Sequence, residues 1–94
     1  MRYSYTDTFL TKDKDDISLE ALEDDAVNEV ALLNVTHDFY VEKLVTSIVY
    51  MQLCKEQFED ESVRKKYDVY KSEFEKYLKQ ASNTPVVNAT IARG

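Results

Sequence analysis

The chain has 94 residues, with 12 Lys+Arg against 18 Asp+Glu, a formal net charge of -6, and only one Gly, one Pro, one Cys and one His. One Gly excludes the glycine-rich phosphate loops, and one Cys with one His excludes zinc-finger, Cys-x-x-Cys and intrachain disulfide frameworks. The near-absence of helix breakers, with hydrophobic residues at 44%, predicts a single small all-α domain with a core rather than a β fold or a disordered chain.

Residues 1–14 read as an extended N-terminal arm. Tyr3, Tyr5 and Phe9 alternate with Ser4, Thr6 and Thr8, a pattern that favours extended or irregular backbone. The start lacks an apolar signal-peptide core, so no secretion signal is expected. No run of about 18 apolar residues occurs, so no transmembrane helix is expected.

Residues 15–80 read as the helical domain, with three to four helices. Asp16 or Ser18 can cap a first helix, with Ile17, Leu19 and Leu22 as its apolar side. The Glu23-Asp24-Asp25 run suggests a break, giving two helices over roughly 16–22 and 25–35. Asn34 to Asp38 is a junction, with Asp38 as cap and His37 as a capping or surface residue. A helix over roughly 39–58 is apolar around most of its circumference, which marks either the central helix or a subunit contact. Cys54 lies on it and reads as a buried, reduced thiol. The last helix, over 61–80, is amphipathic. Val63, Tyr67, Tyr70, Phe74 and Tyr77 recur at steps of four and three, the spacing of a core stripe or subunit-packing face.

Residues 81–94 read as an extended C-terminal tail. Asn83-Thr84-Pro85 stops the helix, and Pro85, Val86, Val87, Ala89 and Ile91 form a β-prone, uncharged segment. Chain ends are ordinarily polar, so this segment reads as one that docks on a partner or folds back on the body.

The net charge is uneven. Residues 1–40 carry 10 acids and 3 bases, whereas 41–94 carry 8 acids and 9 bases. The excess lies on an acidic face drawn from Asp15, Asp16, Glu20, Glu23, Asp24 and Asp25, which disfavours phosphate-backbone binding. Asp13-Lys14-Asp15-Asp16 has the acid density of a calcium loop. Ile17 stands where a ligand is needed and Ser18 where a Gly is needed, so an EF-hand is rejected. No catalytic set is evident, and neither an enzyme nor a cofactor is expected.

The layout of an acidic helix, a helix carrying Ala26, Val30 and Leu33, a long apolar helix reading Leu44-Val45-Thr46-Ser47-Ile48-Val49-Tyr50, and a closing helix with Val63-Arg64-Lys65-Lys66-Tyr67 resembles the small helical head–tail connector, or adaptor, proteins of tailed bacteriophages. The resemblance spans residues 15–80 and rests on helix lengths and apolar positions, without a signature motif. Many relatives place a Pro before the long helix, where this chain reads Phe39-Tyr40-Val41. The resemblance implies a virion protein: a ring of identical subunits, commonly twelve, between the portal protein and a tail or stopper protein. DNA would pass through the ring without specific binding, and the tail, Thr84 to Gly94, would reach into the portal. Two alternatives remain open on the residues: an acidic inhibitor that mimics DNA charge, and a helical regulator that dimerises through the Tyr67–Tyr77 stripe.

Overall fold

The computed structural model describes residues 1–82. Four helices follow in order, α1 (Thr8–Thr11), α2 (Asp16–Ala31), α3 (Asp38–Glu56) and α4 (Glu61–Ser82), with no strand among the described residues. The small all-α domain expected from composition is therefore the observed one.

α3 is the central element. It packs against α1, α2 and α4. Its buried residues Leu44, Val45, Ile48, Val49, Leu53 and Cys54 face several directions, which explains why its apolar positions surround the helix. Of the two roles open to such a helix, the domain centre is the one it fills.

α2 departs from the expected break. It is one continuous helix whose buried positions are Leu19, Glu23, Ala26 and Val30. Those steps of four, three and four form a regular inward seam. Glu23 occupies a seam position, so the acid run is helix interior. Its cap is Asp15, whose carboxylate accepts from Ser18 N at 2.7 Å, in place of the expected Asp16 or Ser18. Ile17, expected on the apolar side, is 80% exposed.

The connections are built without glycine. After α2, Asn34 takes φ 59°, the left-handed conformation that Asn tolerates better than most residues. At the start of α3, His37 Nδ1 accepts from Phe39 N at 3.3 Å, so His37 rather than Asp38 is the cap. Before α4, Asp60 Oδ1 accepts from Ser62 N at 2.9 Å and from the Ser62 hydroxyl at 2.7 Å. α4 runs to Ser82, past the boundary expected at residue 80. The tail residues Pro85, Val86, Val87, Ala89 and Ile91 lie outside the described residues.

The N-terminal segment is not wholly extended. Asp7 caps α1, accepting from Leu10 N at 3.3 Å, and Leu10 is fully buried in the core. The Gln57 side chain donates to the Leu10 carbonyl at 3.2 Å, tying α1 to the end of α3. Lys14 pairs with Glu56 beside it.

Candidate interaction surface

The first seven residues are fastened by two carboxylates. Glu23, with a side chain fully buried on α2, accepts from Arg2 N at 2.8 Å, Tyr3 N at 3.2 Å and the Tyr5 hydroxyl at 2.8 Å. The Arg2 guanidinium reaches the same carboxylate at 3.3 Å and Asp24 at 2.9 Å. A buried carboxylate is tolerated only when its oxygens are supplied with donors, and the arm supplies them. Burial alone would raise the Glu23 pKa; the donors from Arg2, Tyr5 and Tyr3 outweigh it and hold the group below its ordinary value. The same contact, with burial, pushes the Tyr5 phenol upward.

The second carboxylate is Asp7. Lys66 Nζ donates to Asp7 Oδ2 at 2.8 Å and the Tyr70 hydroxyl donates to it at 2.7 Å. Both donors are on α4, so the arm is joined to α2 and α4 at once. Burial acts to raise the Asp7 pKa, and the Lys66 and Tyr70 hydrogen bonds bring it below its ordinary value. Between the two carboxylates, the Tyr50 hydroxyl accepts from Thr6 N at 2.8 Å and Asp7 N at 3.2 Å. Tyr50 stacks on Tyr70 with centroids 4.5 Å apart and meets Tyr5 edge-on at 5.6 Å.

The α4 stripe faces inward. Val63 is buried, and Tyr67, Tyr70, Phe74 and Tyr77 pack half-buried against the core. Phe39, Tyr40 and Tyr77 meet beyond it, with Phe39 edge-on to Tyr77 at 5.9 Å.

The six residues of the expected acidic face do not act as one surface. Glu23 is buried and fully engaged, which removes it from that face. Asp15 caps α2, Asp24 pairs with Arg2, and Glu20 lies 3.6 Å from the Met1 amino group. Asp16 and Asp25 remain exposed without a side-chain partner among the described residues.

Two hollows stand out on the surface of the described residues. One, of about 350 Å³, lies at the end of the body where α2 turns into α3, lined by Leu33, Val35, His37, Tyr40, Ala81 and Ser82. Leu32, at 82% exposed, Leu33 and Phe39 leave apolar surface uncovered at this same end. Ala81 and Ser82 close α4, so the chain beyond Ser82 starts from the rim of this hollow. The other is an open, polar groove of about 310 Å³ between the arm, α3 and α4, lined among others by Glu42, Ser47, Tyr70, Glu73 and Tyr77. Ser47 is 3% exposed and its hydroxyl has no hydrogen-bond partner among the described residues. Neighbouring Thr46, by contrast, bonds the Glu42 carbonyl at 2.9 Å. A buried hydroxyl left without a partner costs about 1–3 kcal/mol.

The described residues contain no cluster of His, Cys, Asp and Glu arranged to hold a metal ion. Burial raises the Cys54 thiol to about 11, so it stays protonated and unreactive at neutral pH. No helix among the described residues is long and apolar enough to cross a membrane. Compared with known proteins, the chain matches no family model, no curated protein and no solved structure. Fold and surface together define a small helical domain with an N-terminal arm docked by buried carboxylates and an uncovered apolar end.

Sequence reasoning left the arm around Tyr3, Tyr5 and Phe9 open between docking on a partner and folding back on the body; it missed the carboxylates that hold the arm, and the polar groove. One signal was available for the first: a Glu at a regular seam position of an amphipathic helix, between Leu19 and Ala26, needs donors from another segment. The groove had none, since Glu42, Ser47 and Glu73 carry no spacing signature.

Proposed function

We propose that this chain is a structural assembly protein of the head–tail connector type, a subunit of a ring that joins a portal to a tail or stopper protein. The carrying observation is the apolar end of the body. Leu32, Leu33 and Phe39 are exposed beside the hollow that Ala81 and Ser82 line, so the charge-poor tail starts where the body offers uncovered apolar surface. Apolar surface concentrated at one place is the usual mark of a protein contact. In this reading that end contacts a ring neighbour, and the tail, through Pro85, Val86, Val87, Ala89 and Ile91, adds to a partner's backbone. The virion is then its place of action.

The DNA-mimic alternative draws less support from this surface, because Glu23 is buried and Asp24 is neutralised by Arg2. The dimer alternative needs an outward stripe, and Tyr67 to Tyr77 pack against the core.

The test looks for a portal gene beside this one and uses its product. The full chain should bind purified portal rings and add a ring visible by electron microscopy. A chain ending at Asn83 should keep its helical circular dichroism and lose binding. Equal binding after truncation would overturn the tail's role, and a gene neighbourhood with no portal gene would overturn the assignment.

A further inference from the structure

The polar groove has features that the assembly reading does not use. Glu42 and Glu73 stand at it on two different helices, and neither has an ion-pair partner among the described residues. Lys43, the cation at the same groove, has its ammonium 5.5 Å from the Phe39 ring centroid and 6.0 Å from that of Tyr77, occupied with the aromatic cluster. The walls include Tyr50 and Tyr70, whose rings are stacked on each other, together with Tyr77. Ser47, nearly wholly buried, presents an unpartnered hydroxyl there.

Each feature names a property of the missing ligand. Two unpaired carboxylates against one ammonium ask for positive charge. Tyrosine walls suit a flat cation that can lie against a ring. A buried hydroxyl lining the same groove as two carboxylates asks for a group with several donors in a fixed array. A guanidinium meets all three conditions; an ammonium meets the first and presents its donors from a single point. The groove's volume, about 310 Å³, accommodates one long side chain. The chain's net charge of -6 favours the approach of a basic partner.

We propose that this groove is a recognition slot for one arginine side chain of a partner protein. The guanidinium is held by Glu42 and Glu73, lies against the tyrosine wall, and donates to the Ser47 hydroxyl. This inference does not rest on the connector reading, since the residues that carry it, Glu42, Ser47 and Glu73, do not line the hollow at the apolar end.

The experiment is an NMR titration of the full chain with N-acetylarginine amide at low salt, alongside N-acetyllysine amide and uncharged N-acetylglutamine amide. The arginine probe should give saturable shifts confined to residues 42–50 and 70–77, with lysine weaker and glutamine silent. Glu42→Gln with Glu73→Gln should weaken the arginine probe about tenfold or more. Ser47→Ala should weaken it a few-fold, with the helical circular dichroism of both variants unchanged. Shifts that never saturate and centre on Asp16 and Asp25, or a double variant that binds like the parent, would overturn the proposal. So would groove shifts produced by Arg93→Gln without any probe, because the occupant would then be the chain's own C-terminal segment.

Discussion

The Tyr5 hydroxyl donates to Glu23 Oε2 at 2.8 Å, joining the arm to the middle of the α2 seam. Leu19, Ala26 and Val30 share that seam, and at the position between them the protein carries a carboxylate. The consequence is that the arm completes the core. Without it, Glu23 would be a buried charge with no donors. Without Glu23, Arg2 N, Tyr3 N and the Tyr5 hydroxyl would lose their acceptor. Glu23→Ala should therefore cost about 2–4 kcal/mol in urea unfolding, and Glu23→Gln less, because one acceptor oxygen survives. Amide exchange at Arg2 and Tyr3 should accelerate in both variants.

The two arm carboxylates set an acid limit on stability. Glu23 and Asp7 both have folded pKa values below their ordinary ones. The unfolded chain then binds more protons than the folded chain as pH falls into the carboxylate range. The stability they contribute is present above the unfolded pKa values, about 4, and is lost as pH falls through the folded values. Thermal unfolding between pH 7 and pH 2.5 should show Tm falling below about pH 4. The Glu23→Gln variant should start lower and fall less steeply.

Tyr50→Phe removes a hydroxyl and keeps the ring. Thr6 N and Asp7 N lose their common acceptor, while the stack on Tyr70 survives. The expected cost is about 1–3 kcal/mol. Hydrogen exchange should locate the loss: faster at Thr6 and Asp7, unchanged at Val49 and Leu53.

Cys54 should be silent in the native protein. It is fully buried, and its thiol is raised to about 11. Alkylation by a maleimide at pH 7.5 should proceed only as fast as the protein opens, and rise sharply in denaturant. Rapid labelling of the native chain would contradict the packing described for α3.

Local signals carried much of this architecture. The 3.6-residue period of Val63, Tyr67, Tyr70, Phe74 and Tyr77 places α4, and the all-round apolarity of Leu44 to Cys54 narrows α3 to the domain centre or a subunit contact. What stayed hidden depends on distant partners. Glu23 looks like part of an exposed acid run until Arg2, Tyr3 and Tyr5 are seen around it, and the supposed helix break came from that misreading. Asp7 looks like an ordinary loop acid, yet its donors Lys66 and Tyr70 lie 59 and 63 residues away. The same holds for the groove, where Ser47 and Glu73 meet only after α3 and α4 pack. The apolar end was half-visible: Leu33 was read as helix interior, whereas the helix stops at Ala31 and leaves Leu32 and Leu33 uncovered.

The central claim is that the apolar end of the body makes an assembly contact, and co-sedimentation with portal rings tests it most directly. The pair Leu32→Lys and Phe39→Lys replaces side chains that are 82% and 48% exposed, so helicity should stay near that of the parent, while loss of the Phe39–Tyr77 edge contact should lower Tm modestly. The account predicts that the parent chain pellets with the rings while the double variant remains in the supernatant. Equal pelleting of the two chains, or no pelleting of either, would contradict it.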